Sequence, residues 1–166
     1  MMSIVTRFFL IVTVVSLSAC GFHLRGQAGM PFDSIYLDVV NPKSSFVAEL
    51  RNKLKFSKVK LADSMESADV VLNIVSENSE KKILTLSGSG RVTEYRLIYR
   101  ISVRAYDQQQ QAWIPATELS QHRDFSYDDT LVLAKESEEA LLFKSMRSEM
   151  AQQILRRLNR AKPLPQ

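Results

Sequence analysis

Few side chains in this sequence have the types and spacing that catalysis requires. The chain has one cysteine, Cys20, and two histidines, His23 and His122, and it contains neither a G-x-S-x-G nor an H-E-x-x-H motif. The adjacent carboxylates Asp128 and Asp129 are interpreted as turn and helix-cap residues. The sequence therefore predicts no catalytic residue, no cofactor and no metal site. A hydrolytic activity would overturn that prediction.

Cys20 offers a different chemistry, the covalent attachment of lipid. The segment before it carries one charge, Arg7, followed by an apolar block from Phe8 to Leu17 and then small residues. This order is typical of a secretory signal, and the block is shorter than the roughly 20 residues that a membrane-spanning helix needs. The sequence LSAC at positions 17–20 resembles the lipobox of bacterial lipoproteins. The resemblance implies that residues 1–19 are cleaved and that Cys20 receives a diacylglyceryl group and an N-acyl chain.

Acylation at Cys20 predicts a permanent membrane attachment. Each buried methylene contributes roughly 0.8 kcal/mol, and two acyl chains already hold a protein stably on a bilayer. Gly21 follows the cysteine, where an aspartate would resemble the signal for inner-membrane retention. The predicted location is therefore the outer membrane, with the acyl chains on Cys20 as the contact.

The composition fits one exported domain. Removal of residues 1–19 leaves 147 of 166 residues without a free cysteine, so packing alone must stabilise the fold. The remaining 21 basic and 18 acidic side chains give a charge of about +3, and export excludes nucleic acid as the partner. The predicted organisation is a lipidated N-terminus and linker at 20–31, a single domain at 32–160 and a flexible tail at 161–166.

Hydrophobic periodicity predicts an α+β fold with the order β-α-β-β-β-α, a four-stranded mixed sheet with two helices packed on one face. The Gly88-Ser89-Gly90 sequence is the clearest turn signal, and the long alternating strand after it should project beyond the helices. A short extended piece is expected near Val59 and Leu61, and Asn41-Pro42 is expected to cap the first helix. The predicted strands are 34–40, 68–75, 91–106 and 113–127, and the predicted helices are about 43–55 and 133–160.

Several short motifs, in the expected order, resemble the LptE family of lipopolysaccharide-assembly lipoproteins. They are CGFHLR at 20–25, Glu94-Tyr95 opening the long strand, LAK at 133–135, and ILRRL at 154–158. The resemblance implies a domain on the periplasmic side that plugs the lumen of the outer-membrane β-barrel LptD in a one-to-one complex. It also implies lipopolysaccharide binding, help in barrel assembly and delivery of the glycolipid to the cell surface. An auxiliary lipoprotein of another envelope lipid-transport system is the alternative.

The resemblance also implies residues that contact the glycolipid. Lys135 matches a basic position implicated in lipopolysaccharide binding, and its ammonium can meet a phosphate. The family has a second basic residue in the turn before the long strand, where this chain has Gly88, and Arg91 can supply that charge from the other side of the turn. Weaker candidates form a line on one strand face, for which paired or solvated arginines are the alternative: Arg96, Arg100 and Arg104.

Overall fold

The computed structural model describes residues 29–164. Cys20, the predicted signal peptide and the CGFHLR segment lie outside that range. Within it, no helix is long and apolar enough to cross a membrane. The elements in chain order are β1 (Ser34–Val39), α1 (Ser45–Lys55), β2 (Lys60–Leu61), β3 (Val70–Leu86), β4 (Val92–Asp107), β5 (Ala112–Ser126) and α2 (Val132–Leu158).

The strands form one mixed sheet in the order β2-β1-β3-β4-β5. β1 runs parallel to β2 and β3, whereas β3, β4 and β5 are antiparallel neighbours. The predicted α+β fold is confirmed, but the sheet has five strands where four were expected. The additional strand pairs Lys60 and Leu61 with Ser34 and Ile35. Two residues are too few to produce a recognisable alternation, so the sequence indicated only an extended piece there.

The prediction that the second strand ends at residue 75 is wrong. The strand continues to Leu86, paired with β4 throughout, although residues 77–82 are mostly polar. Only five residues of β3, Val70 to Ile74, pair with β1, so the sheet narrows to a three-stranded ribbon of β3, β4 and β5. We call the end with the β3–β4 turn the distal end. The proximal end holds the starts of β1, β3 and β5 and the end of α2.

α1 begins three residues later than the Asn41-Pro42 sequence suggested. The Ser44 hydroxyl accepts a hydrogen bond from the Val47 amide at 3.0 Å and caps the helix. Asn41 instead accepts a bond from the amide of Lys43, which forms a local turn. Four apolar side chains of α1 are buried: Phe46, Val47, Leu50 and Leu54.

α2 packs along the same sheet face as α1, as predicted. Its apolar stripe is confirmed by four fully buried side chains, Met146, Met150, Ile154 and Leu158, with Leu142 packed against them. These meet the predicted inner face of β4, where Leu97, Tyr99, Ile101, Val103 and Ala105 are buried.

The chain after α2 keeps contact with the proximal end. Ala161 is buried in the core, and the Leu164 amide donates to the Ala112 carbonyl at 2.9 Å. Within the segment predicted as a flexible tail, Ala161 and Leu164 therefore contact the domain, and residues 165–166 lie outside the described residues.

Candidate functional site

The β3–β4 turn fixes the position of Arg91 at the distal end. The Ser87 amide donates to the Arg91 carbonyl at 2.7 Å, and the Gly90 amide donates to the Ser87 carbonyl at 2.9 Å. Gly90 has φ +79°, a left-handed conformation that favours glycine. The predicted Gly88-Ser89-Gly90 turn is thus confirmed, and Arg91 is its last residue.

Arg91 is the more accessible of the two principal candidate cations. Its side chain is 72% exposed, and Nη1 lies 3.5 Å from Oδ2 of Asp129, which is also exposed. Such an ion pair in solvent is weak. The guanidinium therefore keeps most of its donors available for a ligand.

Lys135 lies beside the same connection but is enclosed. Its side chain is 16% exposed, and Nζ donates to Glu138 Oε2 at 2.8 Å and to Ser126 Oγ at 3.2 Å. The backbone links the two candidates, because the Tyr127 amide donates to the Thr93 carbonyl at 2.8 Å. Both cations thus flank the loop between β5 and α2, and a ligand must compete with Glu138 for Lys135.

The two aspartates of that loop have different roles. Asp128 accepts bonds from the hydroxyl and the amide of Thr130 at 2.7 and 2.9 Å, and these bonds lower the pKa of its carboxyl group. This is an Asx turn, in agreement with the interpretation from sequence. Asp129 does not cap α2, whose cap residue Leu131 makes no side-chain bond; its carboxylate faces Arg91 instead.

Exposed apolar side chains occur on the segments next to these cations. Between 40% and 80% of each is accessible, although side chains of this type are usually buried. Exposed apolar residues grouped on neighbouring segments are typical of surfaces that contact another molecule. We call it the distal apolar patch: Ile83, Leu84 and Leu86 on β3, and Leu131, Val132 and Leu133 at the start of α2.

Lys81 joins the ribbon to α2 just behind this patch. Its Nζ lies 2.5 Å from Glu139 Oε2 and 4.3 Å from the Tyr95 ring centroid, with the rings of Phe125 and Tyr127 within 6 Å. Burial lowers the pKa of Lys81, but the hydrogen bond to Glu139, together with the charge of Glu139 and the nearby Tyr95 and Tyr127, outweighs burial and the net pKa is raised. Lys81 could not be singled out from the sequence because it lies in a polar run. Its only signal was its position two residues from Ile83 on an alternating strand.

The arginine line on β4 is paired within the sheet. Arg96 makes two bonds to Asp124, at 2.7 and 2.8 Å, and these lower the pKa of that carboxyl group. Arg100 bonds Glu80 at 2.9 Å. Arg104 bonds the Asn73 side chain at 3.1 Å and stacks over the Tyr106 ring. These contacts agree with the alternative that the sequence left open, in which the arginines have structural partners.

No group of three or more His, Cys, Asp or Glu side chains is arranged to hold a metal ion in residues 29–164. His122 is exposed on β5, in register with Ile98. His23 and Cys20 precede the described residues.

Comparison with known proteins gives consistent matches. The family model for LptE, described as lipopolysaccharide-assembly, matches residues 32–158. The "LPS-assembly lipoprotein LptE" of Pectobacterium atrosepticum is 26% identical over 163 residues, covering 92% of this chain and 85% of the relative. Its namesake in Yersinia enterocolitica is 26% identical over 155 residues, covering 89% and 72%.

Solved structures have the same fold. A solution structure of an uncharacterized lipoprotein B from Nitrosomonas europaea superposes with a TM-score of 0.73 at 33% identity, covering 84% of this chain and 90% of that one. The crystal structure of the rare lipoprotein B from Shewanella oneidensis gives 0.67 at 28% identity, covering 74% and 91%.

Proposed function

This chain belongs to the LptE family of lipopolysaccharide-assembly proteins, which are not enzymes, and we propose that it delivers lipopolysaccharide to the outer leaflet as an outer-membrane lipoprotein. The family membership supports a role in lipopolysaccharide transport. The LSAC sequence supports acylation at Cys20 after removal of residues 1–19. The anchor then holds the domain on the periplasmic side.

We propose that the distal end is where the glycolipid binds. Lipopolysaccharide presents phosphates beside acyl chains, and a protein that binds it needs cations next to apolar surface. The observation that carries this proposal is that Arg91 and Lys135 flank one loop beside the distal apolar patch. Neither a purely charged nor a purely apolar surface would match both parts of the glycolipid.

The two cations contribute unequally in this proposal. Arg91 makes the first contact, because its guanidinium is exposed and its fork of donors fits a phosphate in a bidentate manner. Lys135 joins when its ammonium exchanges Glu138 for phosphate. The carboxylates of Asp129 and Glu138 therefore compete with the ligand, so removing either should strengthen binding.

We further propose that the domain plugs the lumen of an LptD-like barrel in a one-to-one complex and helps that barrel assemble. The family membership supports this partner. The paired polar face of the ribbon also supports it, because arginines already paired within the sheet can face a hydrated wall without exposing an unpaired charge.

Retention of lipopolysaccharide by the purified full-length lipoprotein tests the distal site. Arg91→Glu and Lys135→Glu should each lower retention, with the larger loss for Arg91→Glu, whereas Asp129→Asn and Glu138→Gln should raise it. Arg96→Gln is the matched control, since it removes a paired arginine outside the site. Unchanged retention in both charge reversals would reject the distal site.

Co-purification tests the partner. A tagged chain should recover an LptD-like barrel in equal molar amount from detergent-solubilised outer membranes. Recovery of the components of a different lipid-transport system instead would favour the alternative function.

A further inference from the structure

A groove at the proximal end combines three arginines with apolar side chains. It has a volume of about 370 Å³ and lies between the start of β5 and the last turns of α2. One wall is Trp113, Ile114 and Pro115, and the other is Arg156, Arg157 and Arg160. This composition suits a ligand with an anionic group and an apolar portion.

The three groove arginines lack acidic partners within residues 29–164, a property that they share with Arg51, Arg104 and Arg147. None of the three lies within 4.0 Å of a carboxylate in the described part of the chain, whereas Arg96, Arg100 and Arg123 each do. Cations at the C-terminal end of a helix interact favourably with the helix dipole, and this explains why the arginines are there. It leaves their hydrogen-bond donors available for a ligand.

The carboxylates at the proximal end do not balance the positive charge of the groove arginines. Asp107 is buried and occupied, because its oxygens accept bonds from the Gln109 and Gln111 amides and from Trp113 Nε1 at 3.1 Å. Asp69 accepts three bonds from Asp33 and Ser34. Three exposed carboxylates near this end, those of Asp33, Asp63 and Glu66, have no ion pair in the described residues, against four further exposed and unpaired cations: Lys55, Lys58, Lys60 and Lys162.

The membrane tether enters the domain beside this groove. The Phe32 ring packs edge-on against Trp113, with centroids 5.6 Å apart. Phe32 follows Cys20 by twelve residues, and a chain of that length spans at most about 43 Å. An acylated Cys20 therefore limits the distance of Phe32 from the membrane surface to about that span.

We propose that this groove binds the phosphate headgroup of an anionic phospholipid in the leaflet that holds the Cys20 acyl chains. The guanidinium forks bond the phosphate, and the apolar wall contacts the glycerol and the first methylenes of the acyl chains. Trp113 is suited to that interface, because it is held by Asp107 at its polar edge and presents an apolar ring. The proposal rests on acylation of Cys20 and does not depend on glycolipid binding at the distal end.

Trp113 is the only tryptophan of the chain, so its fluorescence reports on the groove directly. The acylated full-length protein is reconstituted in phosphatidylethanolamine vesicles that contain either brominated phosphatidylglycerol or brominated phosphatidylethanolamine. We expect strong quenching by the brominated anionic lipid, weak quenching by the zwitterionic one, and a decrease of the difference at high salt.

The test variant carries Arg156→Gln, Arg157→Gln and Arg160→Gln. Each basic side chain near an anionic surface contributes roughly a five-fold factor to the attraction, so losing three lowers groove occupancy on the order of 100-fold. The matched control removes three exposed cations elsewhere, with Lys43→Gln, Arg51→Gln and Lys144→Gln, and should keep the quenching of the parent. A thermal melt verifies that both variants are folded.

Three outcomes would overturn the proposal. Equal quenching by both brominated lipids would mean that the tether alone brings Trp113 to the bilayer. Undiminished quenching in the triple arginine variant would exclude the arginines as the headgroup site. If added lipopolysaccharide relieves the quenching and added unbrominated phosphatidylglycerol does not, the groove would be assigned to the glycolipid. Failure of the distal site is distinguishable, because Arg91→Glu should leave the quenching of Trp113 unchanged.

Discussion

Lys81 is expected to hold the start of α2 against the ribbon. Its ammonium lies over the Tyr95 ring and bonds Glu139, so one side chain joins β3, β4 and α2. Replacement by methionine keeps a linear apolar side chain of similar length and removes the charge. Lys81→Met therefore isolates the electrostatic part of the contact.

The expected cost follows from the exposure of the groups. The Lys81 side chain is 33% exposed and that of Glu139 is 23% exposed, so solvent screens the pair only in part. A cation–π contact at such a site contributes about 0.5–1 kcal/mol, and the ion pair adds about 0.5 kcal/mol. Lys81→Met should thus lower the free energy of unfolding by about 1–1.5 kcal/mol. For a domain of this size the melting temperature should fall by roughly 3–5 °C.

Urea unfolding and amide hydrogen exchange measure the two consequences. Amides in the first two turns of α2 should exchange faster in Lys81→Met, while those near Ile154 should be unaffected. A double-mutant cycle with Glu139→Gln should give a coupling of about 0.5 kcal/mol. Lys82→Met is the matched control, because that neighbouring lysine is 60% exposed on the other strand face. A Lys81→Met variant that is no less stable than Lys82→Met would rule out this role for Lys81.

Three further predictions concern the core, a turn and alkaline stability. Ile154→Ala should lower the free energy of unfolding by about 2–5 kcal/mol in urea, since Ile154 is fully buried, and a loss below 1 kcal/mol would contradict its place in the core. Gly90→Ala should cost about 1 kcal/mol in the same assay, because its φ of +79° disfavours a Cβ although nothing lies within 4 Å; no change would argue against that turn. Burial, reinforced by the Glu77 carboxylate, raises the pKa of Tyr99, so the tyrosine ionises in the unfolded chain at a lower pH than in the folded one. Above about pH 10 the free energy of unfolding should therefore fall by about 1.4 kcal/mol per pH unit on account of Tyr99. Unfolding measured from pH 9 to 11.5 should therefore show a shallower decline in Tyr99→Phe than in the parent, and identical slopes would contradict the assignment.

The sequence predicted the elements whose patterns repeat over many residues. The alternation from Leu97 to Ala105 and the helical stripe from Met146 to Leu158 are confirmed because each buries one continuous face. The second half of β3 could not be predicted because residues 77–82 are polar and show no apolar alternation. Their partners lie on other elements: Arg100 for Glu80 and Glu139 for Lys81. Pairing across the sheet makes a polar strand stable, and no local pattern encodes it.

The accessibility of the candidate glycolipid-binding cations could not be predicted from the sequence. Lys135 stood first among the glycolipid candidates, yet its ammonium is enclosed by Glu138 and Ser126. Arg91, the secondary candidate, is the exposed one. Glu138 follows Lys135 by three residues on α2, a spacing at which helical side chains meet. The pairing of Arg91 with Asp129, in contrast, depends on how the loop after β5 folds back on the β3–β4 turn. That contact joins segments more than thirty residues apart, so spacing along the sequence could not reveal it.

The length of the ribbon has a consequence for the membrane as a whole. The 17 residues of β3 extend about 55 Å, and the 27 residues of α2 extend about 40 Å, whereas the hydrocarbon core of a bilayer is about 30 Å thick. If the domain stands along the membrane normal with its tether at one end, as proposed, this length would let it reach headgroup level on the opposite side without leaving its anchor. Its two ends would then lie near different leaflets, at a separation set by strand length.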